Sequence, residues 1–192
     1  MAIRTAETEH HWNYFLALEE DLARLARYVD FSEQNFATFS TEMTILLIAS
    51  ASEVDVVMKL RCGQIGHLAG NMREYRAALA ETEPRLRDME AAIPRFGLTL
   101  RPWANWREDV PPDWWSDHNA VKHNRSKDFE KANLKNVVNA MGGLFLLLLA
   151  YFGEDAGRSR LVPAPILFNP PSEYARKGHA LDGETGLFFD RE

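Results

Sequence analysis

The chain has 192 residues, 46% hydrophobic and 26% charged, with a formal net charge of -6 and one cysteine. That length and apolar content suffice for one domain with its own core. The acidic balance excludes a diffusely cationic surface for nucleic acid and leaves room only for a local basic patch. Cys62 alone excludes an intramolecular disulfide and the multi-thiol metal patterns, and a reducing, cytoplasmic setting is the simplest expectation.

The N-terminus, MAIRTAETEHHW, has no apolar stretch of the kind a secretory signal needs. From Thr8 to about Val29, Trp12, Phe15, Leu18, Leu22 and Leu25 recur at helical spacing. Glu19, Glu20, Asp21 and Arg24 fill the remaining positions, which predicts a surface helix with one core face. The segment from Phe31 to Phe39 breaks the pattern and reads as a connector holding a short turn.

Ser40 or Thr41 can cap a helix running from Thr41 to about Cys62, with Glu42 favourably placed near its positive end. The aliphatic content of this helix predicts burial on more than one side. Asp55 and Lys59 are spaced for an ordinary helical ion pair. Glu53 is the anomalous acid, because it shares a face with Ala49, Val57 and Leu60. A carboxylate buried there must be paired, hydrogen-bonded or protonated. It is either an orienting group beneath a site or a structural tie to a neighbouring base.

Gly63, Gly66 and Gly70 weaken any continuation, and RCGQIGH lacks the order of a phosphate-binding loop. A third helix is expected from about Asn71 to Ala92, with Pro84 dividing or kinking it. Pro94, Gly97 and Pro102 mark a long connection whose Phe96, Leu98, Leu100, Trp103 and Trp106 must pack on the body. A short extended piece is expected at Leu98 to Leu100.

A helix should begin near Asp113 and break or turn near His123. A second start at Ser126 or Asp128 would lead into the most apolar helix of the chain, ending at Phe152. Its run from Met141 to Phe152 is about half of the roughly 20 residues a bilayer requires, so it reads as a core helix and no membrane partner is expected. Gly142 and Gly143 suggest close approach of a neighbour. Beyond Gly153, Pro163, Pro165, Pro170 and Pro171 preclude a long helix. Leu161 to Phe168 is expected to lie extended on the body, and Leu181, Leu187, Phe188 and Phe189 to fold back or form a hairpin. The chain therefore reads as one all-α domain over 1–192, with a helical core at about 8–152 and an irregular extension at 153–192.

The chemistry-bearing stretch is WWSDHNAVKHNR, from Trp114 to Arg125. If 113–123 is helical, Trp115, Asn119, Lys122 and His123 share a broad stripe, with Arg125 following at the break. His123 could transfer a proton, Lys122 and Arg125 could hold an anion, and Asn119 could donate and accept. Such a set suits a phosphate or carboxylate and charge that develops during cleavage. The alternative is a polar clamp, with Asn119 tying backbone, and Lys122 or Arg125 satisfying Glu53. The sequence contains no HExxH arrangement, and neither a metal nor a cofactor is called for.

Ser52, Glu53, Val54 and Asp55, followed later by His118, Asn119, Ala120, Val121, Lys122, His123, Asn124 and Arg125 ahead of a leucine-rich helix, resemble the HEPN-like helical superfamily over roughly Ser40 to Phe152. The resemblance implies an α-helical bundle, frequently dimeric, among proteins that include metal-independent ribonucleases of defence and stress systems as well as inactive members. By that resemblance His123, Arg125 and Glu53 are the candidate catalytic residues, and Asn119, Lys122 and Trp115 the candidate ligand-binding ones. The family's signature places arginine four to six residues before histidine. Here His123 precedes Arg125, whereas Arg61 and His67 meet the spacing and form a secondary pair. The expected partners are RNA or another phosphate-containing ligand and a second copy of the chain. The competing expectation is a noncatalytic helical module that binds a protein or senses a small ligand.

Overall fold

A computed structural model describes residues 9–153, 161 and 163–171. The described chain is mostly helical: α1 spans His10–Leu25, α2 Thr41–Gln64, α3 Met72–Thr82, α4 Asp113–Asp128 and α5 Leu134–Gly153. Between α3 and α4 lies an antiparallel hairpin, β1 (Ala91–Ile93) and β2 (Leu98–Leu100), with Ala91 opposite Leu100 and Ile93 opposite Leu98. The expected extended piece at Leu98 is thus β2, turned by Pro94–Phe96 and by Gly97 at φ 64°, a left-handed conformation suited to glycine.

The core is the α2–α5 pair, with α1 and α4 laid against both. Trp12, Phe15 and Phe145 meet at its centre, where Phe15 stacks on Phe145 with ring centroids 5.4 Å apart. Nearly every side chain of α5 is buried. The helix is long and apolar enough to cross a membrane by length and composition, and 83% of its most apolar window is buried against the rest of the protein.

Ser40 caps α2, its hydroxyl accepting from the Met43 amide at 3.2 Å. Asn71 does the same for α3, and Glu74 reaches back to the Gly70 amide at 2.8 Å. The third helix stops at Thr82, well short of Ala92. Pro84 cannot continue it, and the chain passes through a short turn at Leu86–Asp88 into β1. The last helix starts at Leu134, later than either expected cap. Thr38 and Phe36 carbonyls accept from the Leu134 and Lys135 amides, so the connector after α1 closes the start of α5.

The long connection packs as a flap, as its aromatics require. Trp103 donates to the Gly143 carbonyl at 3.1 Å, and Trp114 to the Pro102 carbonyl at 2.8 Å. A Cβ on Gly143 would stand 3.1 Å from the Trp114 ring, and one on Gly142 would stand 3.2 Å from Ala91. The close approach expected at this glycine pair is real, but the neighbours are tryptophans and β1. Beyond α5, Asn169 donates to the Ala92 carbonyl at 2.9 Å, bringing the proline-rich segment to the hairpin edge. The expectation for Leu181, Leu187, Phe188 and Phe189 lies outside the described residues.

Candidate functional site

The C-terminal part of α4 carries the sequence-selected cluster, and its backbone departs from helical geometry at Asn124 (φ -145°, ψ 50°). The expected break near His123 is therefore present, one residue on. Lys122, His123, Arg125 and Lys127 are all exposed there, and none makes a hydrogen bond or ion pair among the described residues. Nearby carboxylates are occupied: Asp128 pairs with Lys131 at 2.9 Å, and Asp117 accepts from the buried Asn136 amide at 2.9 Å. Cations on the rest of the protein that do meet carboxylates include Arg24, Lys59, Arg61, Arg101 and Arg107.

Arg125 and Phe129 form one wall of a groove of about 470 Å³, completed by Thr41, Thr44, Ile45, Ile48 and Ala49 of α2. Phe39 contacts Phe129 edge-on, with ring centroids 5.4 Å apart. The groove is apolar with one guanidinium, an arrangement that can hold an anionic group bearing a flat or aliphatic portion.

Glu53 is not the acid of this cluster. Its half-buried carboxylate accepts from His11 Nδ1 at 2.5 Å, tying α2 to α1, and no bond joins it to Lys122, His123 or Arg125 among the described residues. The expected neutralisation by those bases is corrected on this point: the partner is His11 of α1. The α2 acid whose charge acts on His118 of α4 is Asp55. Asp55 also pairs with Lys59, as expected, and accepts from the Tyr75 hydroxyl at 2.7 Å. Burial first, and then this bond, push the Tyr75 hydroxyl pKa upward.

Among the described residues the deepest carboxylate is Glu19, 1% exposed, which the sequence places among ordinary surface charges. It accepts from the amides of Ile166 and Leu167 at 2.8 Å and of Phe168 at 3.0 Å. Those donors lie 147 to 149 residues away along the chain, so no local pattern could reveal them. This acid anchors the post-α5 segment.

His118 is also buried, and neither ring nitrogen has a partner among the described residues. Burial lowers its pKa to about 4; the Lys122 and His123 charges act in the same direction, and Asp55 opposes them. The imidazole is neutral at physiological pH and lies against Trp115 at a ring distance of 5.4 Å. Asn119 donates to the Trp115 carbonyl at 3.1 Å, so its amide is partly spent within the helix, as the clamp alternative expects.

The secondary pair does not assemble. Arg61 is fully buried and donates to Glu83 at 2.5 and 3.1 Å and to Gln64 at 3.2 Å, whereas His67 is exposed beyond the end of α2. Burial raises the Cys62 thiol pKa, partly offset by Arg61. A feature the sequence did not single out is the open side of α2. Ile45, Val56 and Leu60 share one helical face and are 55%, 42% and 40% exposed, so α2 is buried on more than one side, as expected, but open on this one. Comparison of the chain with family models, with curated proteins and with solved structures finds no match.

Proposed function

We propose that this chain is an RNA-interacting protein of the HEPN-like helical class, contacting phosphate through the exposed C-terminal part of α4. The observation that supports this reading is the short run of unpaired cations, Lys122, Arg125 and Lys127, on a protein that is acidic overall. Exposed cations free of carboxylates keep their full charge for a phosphodiester, and such contacts dominate nucleic-acid affinity. The apolar groove beside Arg125 gives the same surface a place for a base.

The proposal includes a metal-independent cleavage step. His123 takes the 2'-hydroxyl proton as that oxygen attacks phosphorus, and the bond to the 5'-oxygen breaks. The 5'-oxygen leaves with a proton from water, giving a 2',3'-cyclic phosphate, while Lys122 and Arg125 hold the charge of the pentavalent centre. Glu53, bonded to His11, takes no part in this version of the chemistry.

Incubating purified protein with mixed single-stranded RNA in excess chelator tests the step. Cleavage lost in His123→Ala and retained in His67→Ala is expected. Cleavage that survives His123→Ala contradicts the assigned base. A second reading, a noncatalytic helical interaction module, is favoured by the open apolar face of Ile45, Val56 and Leu60. It predicts self-association or protein binding that Val56→Asp abolishes, with no RNA affinity.

A further inference from the structure

We propose that a second, separate pocket beside α3 binds a phosphate group. The cavity, about 160 Å³, is lined by Met72, Arg73, Arg76, Trp106, Asp109 and Pro111. Arg73 and Arg76 are one turn apart on α3, which brings both guanidinium groups to one side of the helix. Arg73 is exposed and has no ion pair among the described residues. Arg76 is paired with Asp109, whose own side chain is 76% exposed. Trp106, by contrast, is 6% exposed, and its indole N–H is buried without an acceptor among the described residues.

A buried indole donor left unpaired forfeits a hydrogen bond and is uncommon in a folded protein. Trp106 lines the same cavity as the two guanidinium groups, and an oxyanion is the ligand that those groups suit. The N-terminal turn of α3, which supplies Met72 and Arg73, adds a partial positive charge in the same place. A phosphate fits the volume and offers enough acceptor oxygens for two planar forks. A carboxylate carries at most one negative charge, so it meets the guanidinium groups more weakly than a phosphate dianion does. Asp109 is the internal competitor: it neutralises Arg76 in the free protein, and the solvent exposure of its side chain lets it swing aside when a dianion enters.

This site is independent of the RNA reading, and its test is run in a Lys122→Ala/Arg125→Ala background so that α4 does not contribute. The Trp106 indole resonance is followed by 1H–15N correlation spectroscopy during titration with inorganic phosphate. It is assigned by its loss in Trp106→Phe. A saturable shift is expected, weakened about tenfold or more in Arg73→Gln, since a charge-assisted contact is worth roughly 1.5–3 kcal/mol. Asp109→Asn, which tolerates the left-handed backbone at φ 63°, should bind more tightly because the competitor is gone. Glycerol phosphate run in parallel identifies the source: competition marks the phosphoryl group of an ester as ligand, and a response to inorganic phosphate alone marks the free anion. An unmoved indole resonance, an unchanged titration in Arg73→Gln, or equal binding of acetate would overturn the assignment.

Discussion

Glu19 sits sealed in the protein with three backbone amides directed at its carboxylate. Hydrogen bonds to an ionised group are each worth about 1.5–3 kcal/mol, and orphaned buried amides cost a further amount. Glu19→Ala should therefore destabilise the fold by about 3 kcal/mol or more in urea denaturation, and a loss below about 0.5 kcal/mol would remove the anchoring role. His118 presents the opposite case, a buried base without partners. Its folded pKa of about 4 lies below the ordinary 6.5, so across that window the unfolded chain binds the proton first. Stability is fully present above about pH 6.5 and falls as pH drops toward 4, by about 3 kcal/mol at most. His118→Leu should flatten that part of the stability–pH curve and leave the protein at least as stable at neutral pH, because two unpaired nitrogens are removed. Chemical denaturation at a series of pH values between 4 and 7 reads both effects.

Elements with a strong apolar period were legible in the sequence; their ends were less so. The faces of α1 and α5 follow from spacing, and the Ser40 cap and the strand at Leu98 follow from local chemistry. The overrun of α3 came from extending its pattern past Pro84, where the proline terminated it. On α2, the aliphatic content implied burial on more than one side, which holds, but it did not single out the face of Ile45, Val56 and Leu60 as the open one. Composition records how apolar a helix is and not which neighbours reach it. At the α5 glycine pair, the Trp114 ring is fixed by its bond to Pro102 and cannot yield easily to a new methyl. Gly143→Ala gains about 1 kcal/mol in helix propensity but incurs about 1–3 kcal/mol of overpacking, so thermal unfolding should show a net loss of about 1 kcal/mol.

Over the whole molecule, the difference between the expected and observed site is a matter of long-range pairing. Lys122, His123 and Arg125 were found from a local run of residue types, and they do share one exposed stretch of α4. The partner assigned to them was wrong, because Glu53 meets His11 across 42 residues of chain, a pairing with no signature in either segment. Losing that carboxylate frees the α4 cations, and freed cations are what a phosphate surface requires. The same carboxylate–histidine tie locks α1 onto α2, so His11→Ala should cost about 1 kcal/mol of stability without altering the α4 surface.

The most direct test of the α4 surface is the salt dependence of its affinity for single-stranded RNA. With Lys122 and Arg125 each contacting one phosphate, the double variant Lys122→Ala/Arg125→Ala should bind more weakly at low salt. Its log–log salt slope should be shallower by about 1.4, or about 0.7 per contact. An affinity and a slope equal to those of the unmodified protein would contradict the account.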